Sequence, residues 1–168
     1  MTFLRNKLVL VAAVCVAPFV LGTAAYFLGW TPGAPSNYGE LIDPPRPVAG
    51  VRGKWTLVAF DAAACDAHCE KKLYYMRQVR RAQGKHMDRV ERLWVLTDAG
   101  KPRAELLAAI EGTRILSNAD VKGFEARAVD HIYLVDPLGN LMMRFPRDAD
   151  PTRMIKDLQR LLKYARTG

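Results

Sequence analysis

Two cysteines separated by three residues lie in the segment 65–69 (Cys-Asp-Ala-His-Cys), and they are the residues of this chain best suited to carry out chemistry. If residues from about 65 onward are helical, positions i and i+4 lie on one helical face, about 6 Å apart. Thiols at that separation can form a disulfide or share one soft metal ion. The start of a helix also favours the thiolate form through the helix dipole. The spacing therefore predicts a redox site or a soft-metal site.

An apolar strand and an amphipathic helix are predicted on either side of the cysteines. Trp55–Phe60 suits a buried strand, and Glu70–Gln83 repeats apolar residues along one helical face. Farther along, 92–97 predicts a second strand, Pro102–Glu111 a second helix and 115–117 a short extra strand. This βαβ order requires a parallel crossover.

The C-terminal third predicts a hairpin followed by a helix. Two apolar runs, 131–135 and 140–145, are joined by the turn sequence Asp-Pro-Leu-Gly at 136–139. The dipeptide Asp-Pro at 150–151 supplies an N-cap and a first-turn proline for a helix that ends near Tyr164. The whole order, βαβα and then ββα, predicts an α/β, thioredoxin-like fold with a central mixed sheet flanked by helices.

The N-terminal part predicts a single transmembrane helix. Leu8–Trp30 contains no charged residue, and at 1.5 Å per residue it spans roughly 34 Å, slightly more than a bilayer's hydrocarbon core. Arg5 and Lys7 precede it, and no basic residue follows before Arg46. The positive-inside rule then places the N-terminus in the cytoplasm and the rest outside. A cleaved signal peptide is the alternative, and it would export the same domain.

These observations predict the organisation of the chain and its location. Residues 1–7 form a cytoplasmic N-terminus, 8–30 a membrane anchor, 31–50 a tether rich in proline and glycine with no folded element, and 51–168 the thioredoxin-like domain. We expect a bacterial-type inner membrane, with the C-terminal domain in the periplasm. Without Arg5 and Lys7, the exported part has 23 basic and 17 acidic residues, and its formal charge of +6 suits a solvated surface near anionic lipid headgroups. Export argues against a nucleic-acid partner.

Several short motifs together resemble the Sco/SenC family. They are Gly-Lys-Trp-Thr-Leu-Val-Ala-Phe at 53–60, the cysteine pair at 65–69, Leu-Thr-Asp at 96–98 before a helix, and Val-Asp-His leading into Tyr-Leu-Val-Asp-Pro-Leu-Gly within 129–139. The similarity covers roughly residues 37–165, and the four-residue cysteine spacing is its strongest element. Sco/SenC proteins are membrane-tethered, thioredoxin-like proteins of cytochrome oxidase assembly.

The resemblance implies copper handling, or thiol reduction, for the copper centre of a respiratory oxidase. It implies Cys65, Cys69 and His131 as copper ligands, and an oxidase subunit or its assembly factors as partner. Asp66 and Glu70 stand where the Sco loop usually has proline, which indicates a divergent member.

Three hypotheses for the cysteines remain open from the residues themselves. They are a copper site, a general exported thiol-disulfide oxidoreductase in which Cys65 attacks and Cys69 resolves, and a structural disulfide in a non-catalytic assembly scaffold. A disulfide is the expected resting state of an exported pair. His131 is either a ligand or redox-tuning neighbour of the cysteines, or a structural residue at a strand edge.

Charged residues around the cysteines have simpler expected roles. Asp66 is expected to cap the helix and to oppose thiolate formation, and His68 to lie at the surface or beside the site. The segment 70–72 (Glu-Lys-Lys) is expected to be solvated charge. Farther along the same helix, Arg77 and the pair 80–81 (Arg-Arg) join Lys71 and Lys72 in a basic flank beside the site. This flank is expected to serve solubility or to dock an acidic assembly partner.

Overall fold

The computed structural model describes residues 2–29, 37–117 and 128–165. Its first unit contains helix α1 (Thr2–Phe27). Within α1, the segment Lys7–Phe27 is long and apolar enough to cross a membrane, a property that signal sequences share. Trp30, the predicted end of the anchor, lies outside the described residues.

The second unit begins at Asn37 and contains the predicted domain. Its described elements, in chain order, are β1 (Glu40–Pro47), β2 (Trp55–Asp61), α2 (Ala67–Arg81), a 3-10 helix (Gly84–Arg89), β3 (Val90–Leu96), α3 (Ala104–Ala109), β4 (Arg114–Ser117), a 3-10 turn (Ala128–Asp130), β5 (Ile132–Val135), β6 (Asn140–Arg144) and α4 (Pro151–Tyr164).

The strands form one mixed sheet in the order β1-β6-β5-β2-β3-β4. The crossover strands β2, β3 and β4 are parallel, whereas β5 runs antiparallel to β2 and pairs with β6 as a hairpin. Val58 in β2 lies between Leu93 of β3 and Tyr133 of β5. The predicted thioredoxin-like fold is confirmed.

Residues Glu40–Pro47 form strand β1. The expectation that 31–50 contains no folded element is therefore wrong for this segment. β1 pairs antiparallel with β6 at the edge of the sheet, where Glu40 is opposite Arg144 and accepts a 2.8 Å hydrogen bond from its Nε. An edge strand tolerates proline because one of its sides needs no ladder N–H. The proline content therefore concealed a strand that tertiary pairing stabilises.

Side chains of β2 alternate between two hydrophobic clusters, one on each face of the sheet. On one face, Leu57 and Ala59 belong to a cluster that includes buried residues of α2 and α4. On the other, Val58 and Phe60 join residues of β3, β5 and the segment after β1. Both cysteines belong to the first cluster, so the sheet face covered by α2 positions the candidate site.

Candidate functional site: a buried disulfide at the start of α2

Cys65 and Cys69 form a disulfide, with their Cα atoms 5.2 Å apart. Both residues are buried, with 4% of Cys65 and 0% of Cys69 exposed to solvent. The disulfide lies directly after β2, at the point where the chain leaves the sheet and enters α2. The structure thus brings together the two cysteines that the sequence singled out.

Helix α2 begins at Ala67, so Cys65 lies before the helix, contrary to a helix from about residue 65. Its φ is +45°, in the left-handed region that residues other than glycine rarely adopt. The N–H of Cys65 donates to the Ala62 carbonyl at 3.0 Å, closing a tight turn ahead of the helix. Strained backbone of this kind concentrates at functional sites.

Asp66 caps α2, as predicted. Its Oδ1 accepts a 2.9 Å hydrogen bond from the Cys69 N–H. This hydrogen bond is the main cause of a lowered pKa of the Asp66 carboxyl, and a second backbone hydrogen bond, from His68, acts in the same direction. The carboxylate therefore holds the backbone of the second cysteine in place.

We expect the cap to stabilise the protein in a pH-dependent way. Because folding lowers the pKa of Asp66, its carboxylate stabilises the fold above the ordinary value of 3.8, and this contribution is lost as the pH falls through the folded pKa. Asp66→Asn keeps an acceptor oxygen without the charge. Chemical denaturation should show wild type more stable at neutral pH, with the difference shrinking in acid. A difference that stays constant with pH would contradict this charge effect.

The loop between β3 and α3 braces the disulfide loop from the side. Asp98 Oδ1 accepts a 2.9 Å hydrogen bond from the Ala63 N–H. A Cβ on Gly100 would lie 2.8 Å from the Cβ of Ala63, so only glycine allows this close approach. Arg103 donates to the Cys65 carbonyl at 3.4 Å and pairs with Glu70. Of the residues that brace the loop from outside, Asp98 stood in a motif that the sequence had singled out, whereas Gly100 and Arg103 did not.

A buried ion pair lies beside the disulfide, between the end of β2 and α2. Lys72 Nζ is 2.6 Å from Asp61 Oδ2 and also donates to the carbonyls of Phe60 and Val129. Only 3% of Lys72 is exposed, so its expected solvation is wrong. Burial raises the pKa of Asp61, although the hydrogen bond from Lys72 opposes this.

The burial of Lys72 could have been predicted from its position in the apolar stripe of α2. Cys69, Lys72, Met76 and Val79 are all buried on α2, at intervals of three and four residues. A lysine inside such an apolar stripe needs an acidic partner. That partner, Asp61, follows the apolar strand and could be assigned only once the strand and the helix were packed together.

His131 immediately precedes β5 and is half-buried. Its Nδ1 lies 2.8 Å from the Phe145 carbonyl, which can only accept, so Nδ1 carries the proton and Nε2 is left for other partners. Histidines that bind metals commonly hold their second nitrogen in this way. Across the described ranges, however, no three His, Cys, Asp or Glu side chains are grouped to hold a metal ion. The ligand role of His131 stays a prediction.

His68 lies between the cysteines and is half-buried. Its Nε2 is inaccessible to solvent and has no hydrogen-bond partner in the described part of the chain. A positive charge on His68 would lower the pKa of Asp61, as one of the smaller contributions to that pKa. His68 therefore lies beside the site, one of the two positions expected for it.

An open groove of about 380 Å³ starts next to the disulfide loop and runs between α2 and α3. Ala67 lines its start, and Tyr74 and Leu106 line its sides. Tyr74 is 51% exposed despite its size. The groove therefore begins beside the disulfide loop, although neither cysteine is among the residues that line it.

The fold and the disulfide together define a thioredoxin-like protein with two cysteines separated by three residues. The family model described as "Transmembrane-like, thioredoxin-like, C-terminal domain" matches residues 55–165, and the chain belongs to this family. A comparison with curated protein sequences gives no match.

Solved structures of Sco proteins have the same fold. Bradyrhizobium japonicum ScoI with copper bound is 22% identical, with a TM-score of 0.51, over 73% of this chain and 98% of that chain. Yeast Sco1 with copper bound is 18% identical, with a TM-score of 0.54, over 79% and 96%. Arabidopsis thaliana ScoI with copper bound is 12% identical, with a TM-score of 0.51, over 76% and 99%. The predicted resemblance to Sco proteins is confirmed at the level of the fold.

Proposed function

We propose that this chain is a membrane-anchored, Sco-like factor in the assembly of a respiratory cytochrome oxidase. We propose further that Cys65 and Cys69 handle copper or return the oxidised cysteines of the oxidase's copper centre to thiols. The observation that carries the proposal is the disulfide at the start of α2, within a fold shared with Sco structures that hold copper. The apolar helix α1 supports the anchor. The Arg5 and Lys7 positions support a cytoplasmic N-terminus and a periplasmic domain.

Reduction of the disulfide converts the site into a soft-metal site. Exchange with an external dithiol, which is itself oxidised to a disulfide, supplies the two electrons and two protons that turn the S–S bond into two thiols, and binding of Cu(I) by both thiols releases the protons again. Thiolates favour Cu(I) over hard cations. The Nε2 atom of His131 is the proposed third donor. Copper is cargo in this scheme, taken up by the dithiol and passed to an oxidase subunit or an assembly factor.

A second candidate function is thiol-disulfide exchange without copper. It is favoured by the disulfide between Cys65 and Cys69, because exchange needs only these two thiols and no further ligand. The Cys65 thiolate would attack a partner disulfide and form a mixed disulfide. Cys69 would then attack Cys65, releasing the reduced partner and re-forming the internal disulfide, so two electrons pass to the partner.

A Cu(I) titration tests the first function against the second. The full chain, reduced and in detergent, is titrated against a competing Cu(I) chelator in a Cys15→Ser background, because Cys15 is a free thiol on α1. We expect the chain to bind one equivalent of Cu(I). In His131→Ala the Cu(I) affinity should fall at least about tenfold, which is a loss of about 1.4 kcal/mol of binding free energy.

The matched control carries Cys65→Ser and Cys69→Ser in the same background. Undiminished binding by this control would exclude the cysteine site. A folded, reduced chain that binds no Cu(I) would remove copper handling and leave thiol exchange as the remaining function of the site.

A further inference from the structure

Arg92 is a cation buried in the domain without a charged partner. It lies in β3 with only 4% of its surface exposed. Its Nη2 donates to the Glu111 carbonyl at 2.5 Å. Its Nε and Nη1 atoms have no hydrogen-bond partner within the described ranges. A guanidinium remains charged at any physiological pH, so its burial demands compensation.

Three arginines of α2 lie near enough to Arg92 to add positive charge to its environment. Arg77 and Arg80 are half-buried, and Arg81 is exposed. The pKa of Arg92 is lowered to about 10, mainly by burial. The positive charges of Arg80, Arg77 and Arg81 lower the same pKa further. The hydrogen bonds of Arg77, Arg80 and Arg92 to carbonyls at the end of α3, just after α3 and at the start of β3 place these three charges in one region beside α2.

The acceptors around this arginine cluster are mainly neutral carbonyl groups. Arg77 Nη1 donates to the Ala109 carbonyl at 2.7 Å, and Arg80 Nε donates to the Val90 carbonyl at 2.7 Å. Arg77 Nε is also inaccessible and lacks a partner in the described part of the chain. Carbonyl dipoles satisfy N–H groups but do not neutralise four charges.

Acidic side chains of the described residues neutralise little of the positive charge of this arginine cluster. Among the described residues, the cluster makes one ion pair, between Arg80 and Asp88 at 3.9 Å, and the Asp88 side chain is 90% exposed. Exposed pairs at such distances contribute little. The C-terminal end of a helix also favours cations, but this effect is limited to its last turn, and so does not account for Arg77 or Arg92.

We propose that the cluster formed by Arg77, Arg80, Arg81 and Arg92 is a binding site for a phosphate group. A phosphate dianion matches several guanidinium groups at once, because its oxygens accept paired N–H bonds from each planar fork. Arg77 and Arg81, one helical turn apart on α2, would contact the anion, and the buried Arg92 would add positive charge nearby. The group is either free phosphate or the headgroup of a phospholipid. This site is independent of the cysteines and of the proposed function.

Thermal unfolding of the full chain in a maltoside detergent tests the site with inorganic phosphate as the probe. We expect phosphate to raise the unfolding midpoint more than sodium chloride at equal ionic strength, because a ligand of the folded state stabilises it. The variant with Arg77→Gln and Arg81→Gln should bind phosphate at least about tenfold more weakly. Lys156→Gln, which removes one exposed charge from α4, is the matched control and should bind like wild type.

A second measurement distinguishes the two sources of phosphate. Phosphate affinity is compared in nanodiscs of phosphatidylcholine with and without phosphatidic acid. Weaker binding only when phosphatidic acid is present identifies a lipid headgroup as the ligand, and unchanged binding identifies free phosphate. Equal midpoint shifts in phosphate and in chloride, or an undiminished shift in the double variant, would overturn the proposal.

Discussion

Replacement of Lys72 by methionine is expected to lower the free energy of unfolding by about 3–5 kcal/mol, because it leaves the Asp61 carboxylate, which is only 15% exposed, without its cation. Lys72 is 3% exposed, and its Nζ lies 2.6 Å from Asp61 Oδ2 in an ion pair. The carbonyls of Phe60 and Val129 lose the same donor. Reversible chemical denaturation of the full, oxidised chain measures the loss.

The loss should depend on pH. Burial raises the pKa of Asp61 above its ordinary value of 3.8, while Lys72 acts to lower it. Without Lys72, the folded state favours protonated Asp61 more strongly, so stability falls as the pH rises through that pKa. The deficit of Lys72→Met is therefore expected to be larger near neutral pH than at about pH 4.

Two comparisons make the Lys72 result specific. Adding Asp61→Asn to Lys72→Met removes the stranded charge and should recover much of the lost stability. The matched control is Lys71→Met, because Lys71 is half exposed and lies 3.9 Å from an exposed Asp148; its effect should stay within about 0.5 kcal/mol. Equal losses in the Lys71 and Lys72 variants would refute a role for the buried pair.

A Cys69→Ser variant is expected to trap a mixed disulfide through Cys65, whereas Cys65→Ser should trap little. Cys65 retains 4% exposure and lies outside α2, but Cys69 is fully buried and its N–H is held by Asp66. An incoming disulfide therefore reaches Cys65 first. Without Cys69, no internal thiol resolves the mixed disulfide.

The reaction is followed with an aromatic disulfide reagent that releases a coloured thiol, in the Cys15→Ser background. We expect Cys69→Ser to react at least about tenfold faster than Cys65→Ser, following thiol access. Intact mass then shows whether the adduct persists. Faster reaction of the Cys65→Ser variant would reverse the assigned roles, and no reaction in either folded variant would argue for the scaffold hypothesis.

Local patterns were sufficient to predict most elements of the fold. The buried strand β2, the hairpin of β5 and β6, and helix α4 with its Asp150 cap all follow from periodicity and turn chemistry, which act over a few residues. Strand β1 did not follow, because its composition resembles a linker and its stability comes from pairing with β6. Its existence depends on a partner about one hundred residues away in sequence.

The candidate site divides in the same way. The sequence by itself determined that two thiols lie close together and that Asp66 caps the helix beside them, because these relations span only four residues. Only the tertiary structure decided that Lys72 is buried against Asp61, and that Arg92 is buried among groups that include arginines of α2. The energy of a charge depends on burial and on neighbours from other elements, and neither is defined until those elements are packed together.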